Sequence, residues 1–383
     1  MTTYFETNRK EECYGCKACE QICPKKSIKM KCDREGFWYP KINIDTCVKC
    51  NLCRKVCPYN EKSFKINTLN KSLAFATINK NEIVRESSTS GGMFSNISDY
   101  ILENNGIIFG VELDDNGVVK HSIAVNKKER DKFKGSKYVQ SDIQKSYIKA
   151  KEYLNSDKLV LFTGTPCQIA GLYSYLGKDY DNLITCDIVC HGVPSPKVFN
   201  DYYNFMKKKY RSNISTLNFR DKSNGWKTGT LKIKFNTGKE YSEVWNNDRY
   251  YRLFFSHRIL RASCHECRFT KLHRESDITI GDFWGVENCK PNMFDNKGTS
   301  LVLINTKKGI SLFENIKEEI IFEECRLEDV MQPNLKRPAM PSVDREKFFN
   351  DYEKKGFKYV IKVYTAVSLK ERIIGKIIKL IDN

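Results

Sequence analysis

CYGCKACEQICP, residues 13–24, and CVKCNLCRKVCP, residues 47–58, decide the first part of the fold. Each run holds four cysteines spaced by two, two and three residues, and each ends in proline. Three cysteines two residues apart wrap one iron–sulfur cube within a single short loop. The fourth cannot reach that cube, because the chain turns away at the proline, so it ligates the other. Cys13, Cys16, Cys19 and Cys57 are therefore assigned to one 4Fe–4S cluster, and Cys47, Cys50, Cys53 and Cys23 to a second. Zinc sites favour two C-x2-C pairs and do not match this spacing. Gly15 and Ala18 are small, which suits a backbone donating N–H groups to cluster sulfur. Cys32 is left over, either a free buried thiol or a local departure with redox meaning.

Residues 1–62 thus read as a bacterial-ferredoxin-like domain with two short helices and small strands. Working outward, the whole chain of 383 residues holds sixteen cysteines. Its N-terminus lacks a basic-then-apolar signal pattern, so a secreted disulfide scaffold is disfavoured and a cytoplasmic location is expected. No stretch approaches a membrane span. The net charge of +18 is spread over scattered lysines. It reads as surface composition that steers acidic partners, and nucleic-acid binding is not expected.

After a polar connector, Tyr59 to Lys71, the pattern turns to mixed α/β. LAFATI (73–78), GIIFGVEL, VVKHSIAV, KLVLFTGTP and NLITCDIVCHG read as strands. The segment after SSTSGG (87–92), SYIKAKEYLN and CQIAGLYSYLG read as helices. Strand–turn–helix units of this kind hold cofactors at strand ends. The stretch from Phe357 to the C-terminus is basic and amphipathic. It reads as a docking helix or helix pair, with a peripheral membrane contact as the alternative.

Three body segments carry chemistry. Ser87 to Gly92 opens a helix, a ready anion site for a pyrophosphate or a plain helix cap. Gly164-Thr165-Pro166-Cys167-Gln168 ends one strand, and Cys190-His191-Gly192-Val193-Pro194 ends the next. Cys264-His265-Glu266-Cys267 precedes SDITIGDFWG (276–285). Together SSTSGGMFS, GSKYVQSD, LFTGTPCQIAGL, CDIVCHGVPSP, CxxC and SDITIGDFWG resemble the coenzyme F420 hydrogenase/dehydrogenase beta-subunit family over roughly residues 70–330. The resemblance implies an α+β/α/β chain: a ferredoxin-like domain followed by a two-lobed flavin-binding body. The lobes are expected at 72–155 and 156–330, with a basic helical segment at 331–383.

The resemblance also implies FAD beside an iron–sulfur cluster, and electron transfer to or from an organic substrate such as a deazaflavin. Relatives in surface-polysaccharide biosynthesis suggest other acceptors. Cys167, Cys190, Cys264 and Cys267 can supply four thiolates to a third 4Fe–4S cluster. The alternative is two buried small residues and a zinc pair. Candidate flavin contacts are Ser90, Gly91, Gly92, Lys137, Tyr138, Gln140, Thr165, Pro166 and Gln168. Lys137 would place a cation near the flavin N1–C2 edge. His191 and Asp282 are candidate proton donors. A flavin links one-electron clusters to hydride chemistry, so the expected function is a ferredoxin-linked FAD/iron–sulfur oxidoreductase. A non-catalytic electron-transfer subunit is the alternative. Expected partners are ferredoxin or another redox protein, a small organic acceptor or donor, and a further copy of the chain or another subunit. Cys186 stays unassigned, and Cys289 and Cys325 read as structural.

Overall fold

The computed structural model describes residues 3–366. Strands β1 (Ile28–Cys32) and β2 (Trp38–Ile42) form an antiparallel hairpin beside the two cysteine loops. Short helices Ala18–Ile22 and Leu52–Lys55 lie within the two cysteine runs and carry Cys19 and Cys53. This is the expected N-terminal domain, with one difference. Cys32, at the end of β1, is exposed, not buried. A hairpin edge two strands wide has no second layer to cover it.

The body is built on one eight-stranded mixed sheet. Its strands are β3 (Leu73–Asn79), β4 (Ile107–Leu113), β5 (Val119–Ala124), β6 (Val160–Gly164), β7 (Leu183–Ile188), β11 (Ile278–Asp282), β12 (Ser300–Ile304) and β13 (Ile320–Cys325), in the spatial order β13-β3-β12-β11-β7-β6-β4-β5. The centre, β11-β7-β6-β4, is parallel. Such strands are buried on both faces. On β6, Val160 and Phe162 pack with Tyr147 and Ile169, while Leu161 packs with Ile97 and Ile101 on the other side.

A second lobe is inserted between β7 and β11. Strands β8 (Ile214–Asp221), β9 (Thr230–Phe235) and β10 (Glu240–Val244) form a three-stranded antiparallel sheet. Helices Pro196–Tyr210 and Arg249–Phe255 share its core with Arg345–Lys355 and Phe357–Val363. The body is two-lobed, but the boundary at 155/156 falls inside the large sheet, where β4 pairs with β6. Long-range pairing, which periodicity does not reveal, sets the lobes. The end of the C-terminal segment, residues 367–383, lies outside the described residues. Val360 and Ile361 are buried against the second lobe. Among the described residues no helix is long and apolar enough to cross a membrane.

The connector 59–71 is irregular but partly packed, with Ser63 and Ile66 buried. The N-terminal domain is clamped to the body. Tyr147 and Ile148 N–H groups donate to Gln21 Oε1 at 3.1 and 3.2 Å. Glu35 pairs with Arg345 at 2.7 and 3.1 Å.

Candidate functional site

The two cysteine loops repeat one backbone path. Gly15 and Lys17 are left-handed in the first loop, and Lys49 and Asn51 at the matching places in the second. Three of these four are not glycine, and such conformations persist where surroundings enforce them. Cys13, Cys16, Cys19 and Cys57 line one hollow, closed by Met30, Pro40 and Pro58. Burial pushes the Cys57 thiol up to about 12, and the neighbouring Cys13 adds to the effect. In the second set, Cys23 accepts the Ser27 N–H at 3.3 Å, and Cys50 is exposed.

The body brings its four candidate thiols together. Cys167 sits in the first turn of the helix Pro166–Leu176, which follows β6. Pro166 fixes the start of that helix, the Thr165 N–H donates to Gln168 Oε1 at 3.0 Å, and left-handed Gly177 ends it. Cys190 follows β7, and Cys264 closes a short 3-10 turn, Ala262–Cys264. Burial raises the Cys190 thiol first, followed by Cys264, Cys167 and Cys267. Cys167 and Cys264 are each pushed up to about 12 by burial, with Cys267 the next cause. Four thiols this close and this buried suit a shared ligand that takes their protons. Tyr14 packs on Cys167 and Cys267, and its buried hydroxyl has no partner. Such an orphan donor fits cluster sulfur. Among the described residues no group of three or more His, Cys, Asp or Glu could hold a single metal ion.

The two sets touch through one helix. A Cβ on Gly171 would lie 2.9 Å from Cys16 Cβ and 3.0 Å from its sulfur. The helix carrying Cys167 therefore lies directly on the ferredoxin-like domain.

Beyond this set opens a cavity of about 410 Å³, within the range of small-molecule sites. It lies at the carboxyl ends of the parallel strands, reaching Thr163, Gly164, Ile188 and Ile280. Cys190 lines it too, so the body set borders the cavity through that one cysteine. One wall is the loop Ser88–Gly92 at the start of helix Met93–Glu103, where Gly92 has φ +93°. Another is aromatic, with Trp245, Phe254, Phe255 and Trp284. Arg220 lies over Trp245 and Trp284, at 4.7 and 5.3 Å to the ring centroids. Its Nε is buried without a partner.

Of the expected flavin contacts, Ser90, Gly92, Lys137, Tyr138, Thr165 and Gln168 line the cavity, while Gly91, Gln140 and Pro166 do not. Gly91 is pressed against β3, where a Cβ would meet Thr77 O at 2.3 Å. Gln140 donates to Tyr14 O at 3.0 Å and joins the ferredoxin-like domain. Lys137 lines the cavity, but its amine donates to Lys132 O and Lys134 O at 2.9 and 2.8 Å. Burial holds that amine down at about 7. Asp282 also lines the cavity, and its oxygens accept Trp226 Nε1 at 2.8 Å and Arg220 at 3.1 Å. His191 does line the cavity. His257 Nδ1 donates to Met340 O at 2.7 Å; His191 Nε2 and His257 Nε2 share a hydrogen bond of 3.0 Å, and His191 Nδ1 lies 3.1 Å from Asn334 Oδ1. Cys186 also lines the cavity. Sequence reasoning missed Arg220, Trp245 and His257, which stand outside every motif of the chain.

His121 anchors the cavity floor. Its Nε2 donates to Thr163 O at 3.1 Å and its Nδ1 accepts from Ser141, which also takes a bond from Gln168. Burial lowers its pKa to about 4, against an ordinary value of 6.5. The unfolded chain binds this proton more readily, so the stability is present above pH 6.5 and is lost as pH falls toward 4. Thermal unfolding is expected to lose about 2 kcal/mol between pH 7 and 5 through this group. His121→Gln should remove that part of the pH dependence; equal sensitivity in both proteins would reject it.

Residues 157–330 match the family described as coenzyme F420 hydrogenase/dehydrogenase, the C terminus of the beta subunit. Residues 12–60 match the 4Fe-4S dicluster domain. No curated protein matches the chain. Among solved structures, the chain is similar to one in the xenon-derivatised F420-reducing NiFe hydrogenase complex from Methanosarcina barkeri. That match has 18% identity, covers 78% of this chain and 92% of the other, and has a TM-score of 0.46. The chain therefore joins residues 12–60, which match a 4Fe-4S dicluster domain, to a body whose residues 157–330 match the C terminus of the coenzyme F420 hydrogenase/dehydrogenase beta subunit.

Proposed function

We propose that this chain is an iron–sulfur flavoprotein oxidoreductase. Electrons pass between a redox protein and an organic substrate, by way of three 4Fe–4S clusters and FAD. The observation that carries this reading is the unbroken file of cysteines from surface to cavity. Cys50 is exposed, Cys16 abuts the helix that bears Cys167, and Cys190 lines the cavity. Bound in the cavity, FAD would convert single electrons to hydride chemistry.

The chain's own residues supply the rest. The helix start at Gly92 and Met93 offers N–H groups to a pyrophosphate, and Arg220 offers its free Nε to an anion. The aromatic wall excludes water and offers flat surfaces to a ring. His191, paired with His257, would hold a proton for the substrate. The substrate is a deazaflavin or another acceptor, including an intermediate of polysaccharide biosynthesis.

Anaerobic reconstitution followed by iron and flavin analysis tests the reading. About twelve iron per chain, four for each cluster, and releasable FAD are expected. Clusters without flavin would overturn the enzyme and leave an electron-transfer subunit.

The outer cysteine set points to the donor. Lys25, Lys26, Lys29, Lys31, Lys41 and Lys49 are exposed, and none has an ion pair among the described residues. Lys29 and Lys41 are direct cross-strand neighbours, an unfavourable like-charge pairing that an acidic partner would relieve. Ile44 and Val48 stand 71% and 57% exposed in the same loop region. Reduction by an acidic one-electron carrier should slow steeply with added salt. A salt-independent rate would argue for another entry point.

A further inference from the structure

Five arginines are buried to 4% exposure or less: Arg85, Arg130, Arg220, Arg261 and Arg274. Four of them hold a carboxylate. Arg85 pairs with Asp295, Arg130 with Asp99, Arg220 with Asp282 and Arg274 with Asp187. Arg261, the most buried at 0%, has no ion pair among the described residues. Removing a cation from water costs several kcal/mol unless an anion compensates.

What surrounds Arg261 is the junction of two cysteine sets. It stands three residues before Cys264 and reaches into the ferredoxin-like domain. Its Nε donates to Cys13 O at 2.8 Å, and one terminal nitrogen donates to Trp38 O at 3.0 Å and approaches Cys13 Sγ at 3.6 Å. The other terminal nitrogen donates to Gln140 Oε1 at 3.1 Å. The guanidinium lies over Tyr39, 4.3 Å from the ring centroid. Gly15, with φ +68°, makes room, since a Cβ there would lie 2.8 Å from an Arg261 nitrogen. The nearby groups able to carry negative charge are the phenol of Tyr39 and the thiols of Cys13, in one set, and Cys264, in the other.

We propose that Arg261 is the shared counter-cation of the clusters held by Cys13/Cys16/Cys19/Cys57 and by Cys167/Cys190/Cys264/Cys267. The proposal rests on the reading that both sets hold clusters. An added electron makes a cluster more negative, so a fixed cation beside it raises its reduction potential. Arg261 thereby draws the electron inward from the outer cluster of Cys47, Cys50, Cys53 and Cys23. Each step moves one electron, and no bond is made or broken.

The test is potentiometric titration followed by electron paramagnetic resonance, on anaerobically reconstituted full-length protein. Arg261→Gln is expected to keep the iron of the wild type. It should shift the electron at least about tenfold from the inner clusters toward the outer one, 59 mV for a one-electron couple. Arg261→Lys keeps the charge and should stay near wild type, whereas a role in shape alone would make Lys as damaging as Gln. Should Arg261→Gln fail to fold, Gln140→Glu gives the same test. It sets a carboxylate against the guanidinium and should lower the same two potentials. Unchanged inner potentials in a fully loaded Gln or Glu variant would overturn the proposal. Wild-type protein holding only the outer cluster's iron would instead overturn the cluster reading.

Discussion

Cys267→Ser is expected to lower the iron content from about twelve to about eight per chain and to disconnect the cavity from the ferredoxin-like domain. The reason is position. Cys267 packs with Cys167 and Tyr14 in one small cluster of side chains. Its thiol is the leading charged neighbour that raises both Cys167 and Cys264 after burial itself. The body set is the step between Cys16, which abuts Gly171, and Cys190, which borders the cavity. Serine matches cysteine in size but is a poor ligand for iron of this kind. Both clusters of the first 62 residues should keep their spectra and remain reducible. Flavin reduction driven through them should fall to the level of free reductant acting directly. Stopped-flow absorbance separates the two events. A variant with unchanged iron, or with unchanged flavin reduction, would remove the body set from the path.

Gly36→Ala is the second large effect, and it acts on docking. Gly36 has φ +89°, and a Cβ there would lie 2.3 Å from Lys197 Cβ and 2.6 Å from Ser195 Oγ. Ser195 starts the helix Pro196–Tyr210 and donates to Glu35 O at 2.5 Å. The substitution therefore strains the hairpin turn and forces it off the body at one point. Left-handed strain costs about 1–2 kcal/mol, and overpacking about 1–3 kcal/mol more. Gly238 separates the terms, because it has φ +81° and nothing within 4 Å of an added Cβ. Gly238→Ala should show the strain alone. Gly36→Ala should also open the connector 59–71 to proteolysis. Equal stability losses in the two variants would mean that the contact with Ser195 and Lys197 contributes nothing.

Much of the site is legible in the amino-acid order, and the misreadings have a common cause. Strands β3 to β7 and the helices after Gly92, Lys145 and Thr165 follow from periodicity and capping residues. Gly91, Gln140 and Pro166 read as cavity residues because they stand beside ones that are. Neighbours in a chain need not share a face: Gly91 faces β3 while Gly92 faces the cavity. That Asp282 also holds Arg220 and Trp226, 62 and 56 residues away, is likewise set by the tertiary structure. The inserted lobe of β8 to β10 escapes local reading for the same reason, since strand pairing joins distant segments.

By itself, the sequence determined the two cysteine loops, because a cube's ligands within one loop lie a few residues apart and spacing encodes them. It also determined the strand–turn–helix units that present Cys167 and Cys190. Only the tertiary structure decided that these meet Cys264 and Cys267, that Cys16 lies against Gly171, and that Arg261 stands uncompensated between the two sets. Those relations join residues far apart in the chain. They exist only once the sheet has paired and the ferredoxin-like domain has docked, and no local pattern records them.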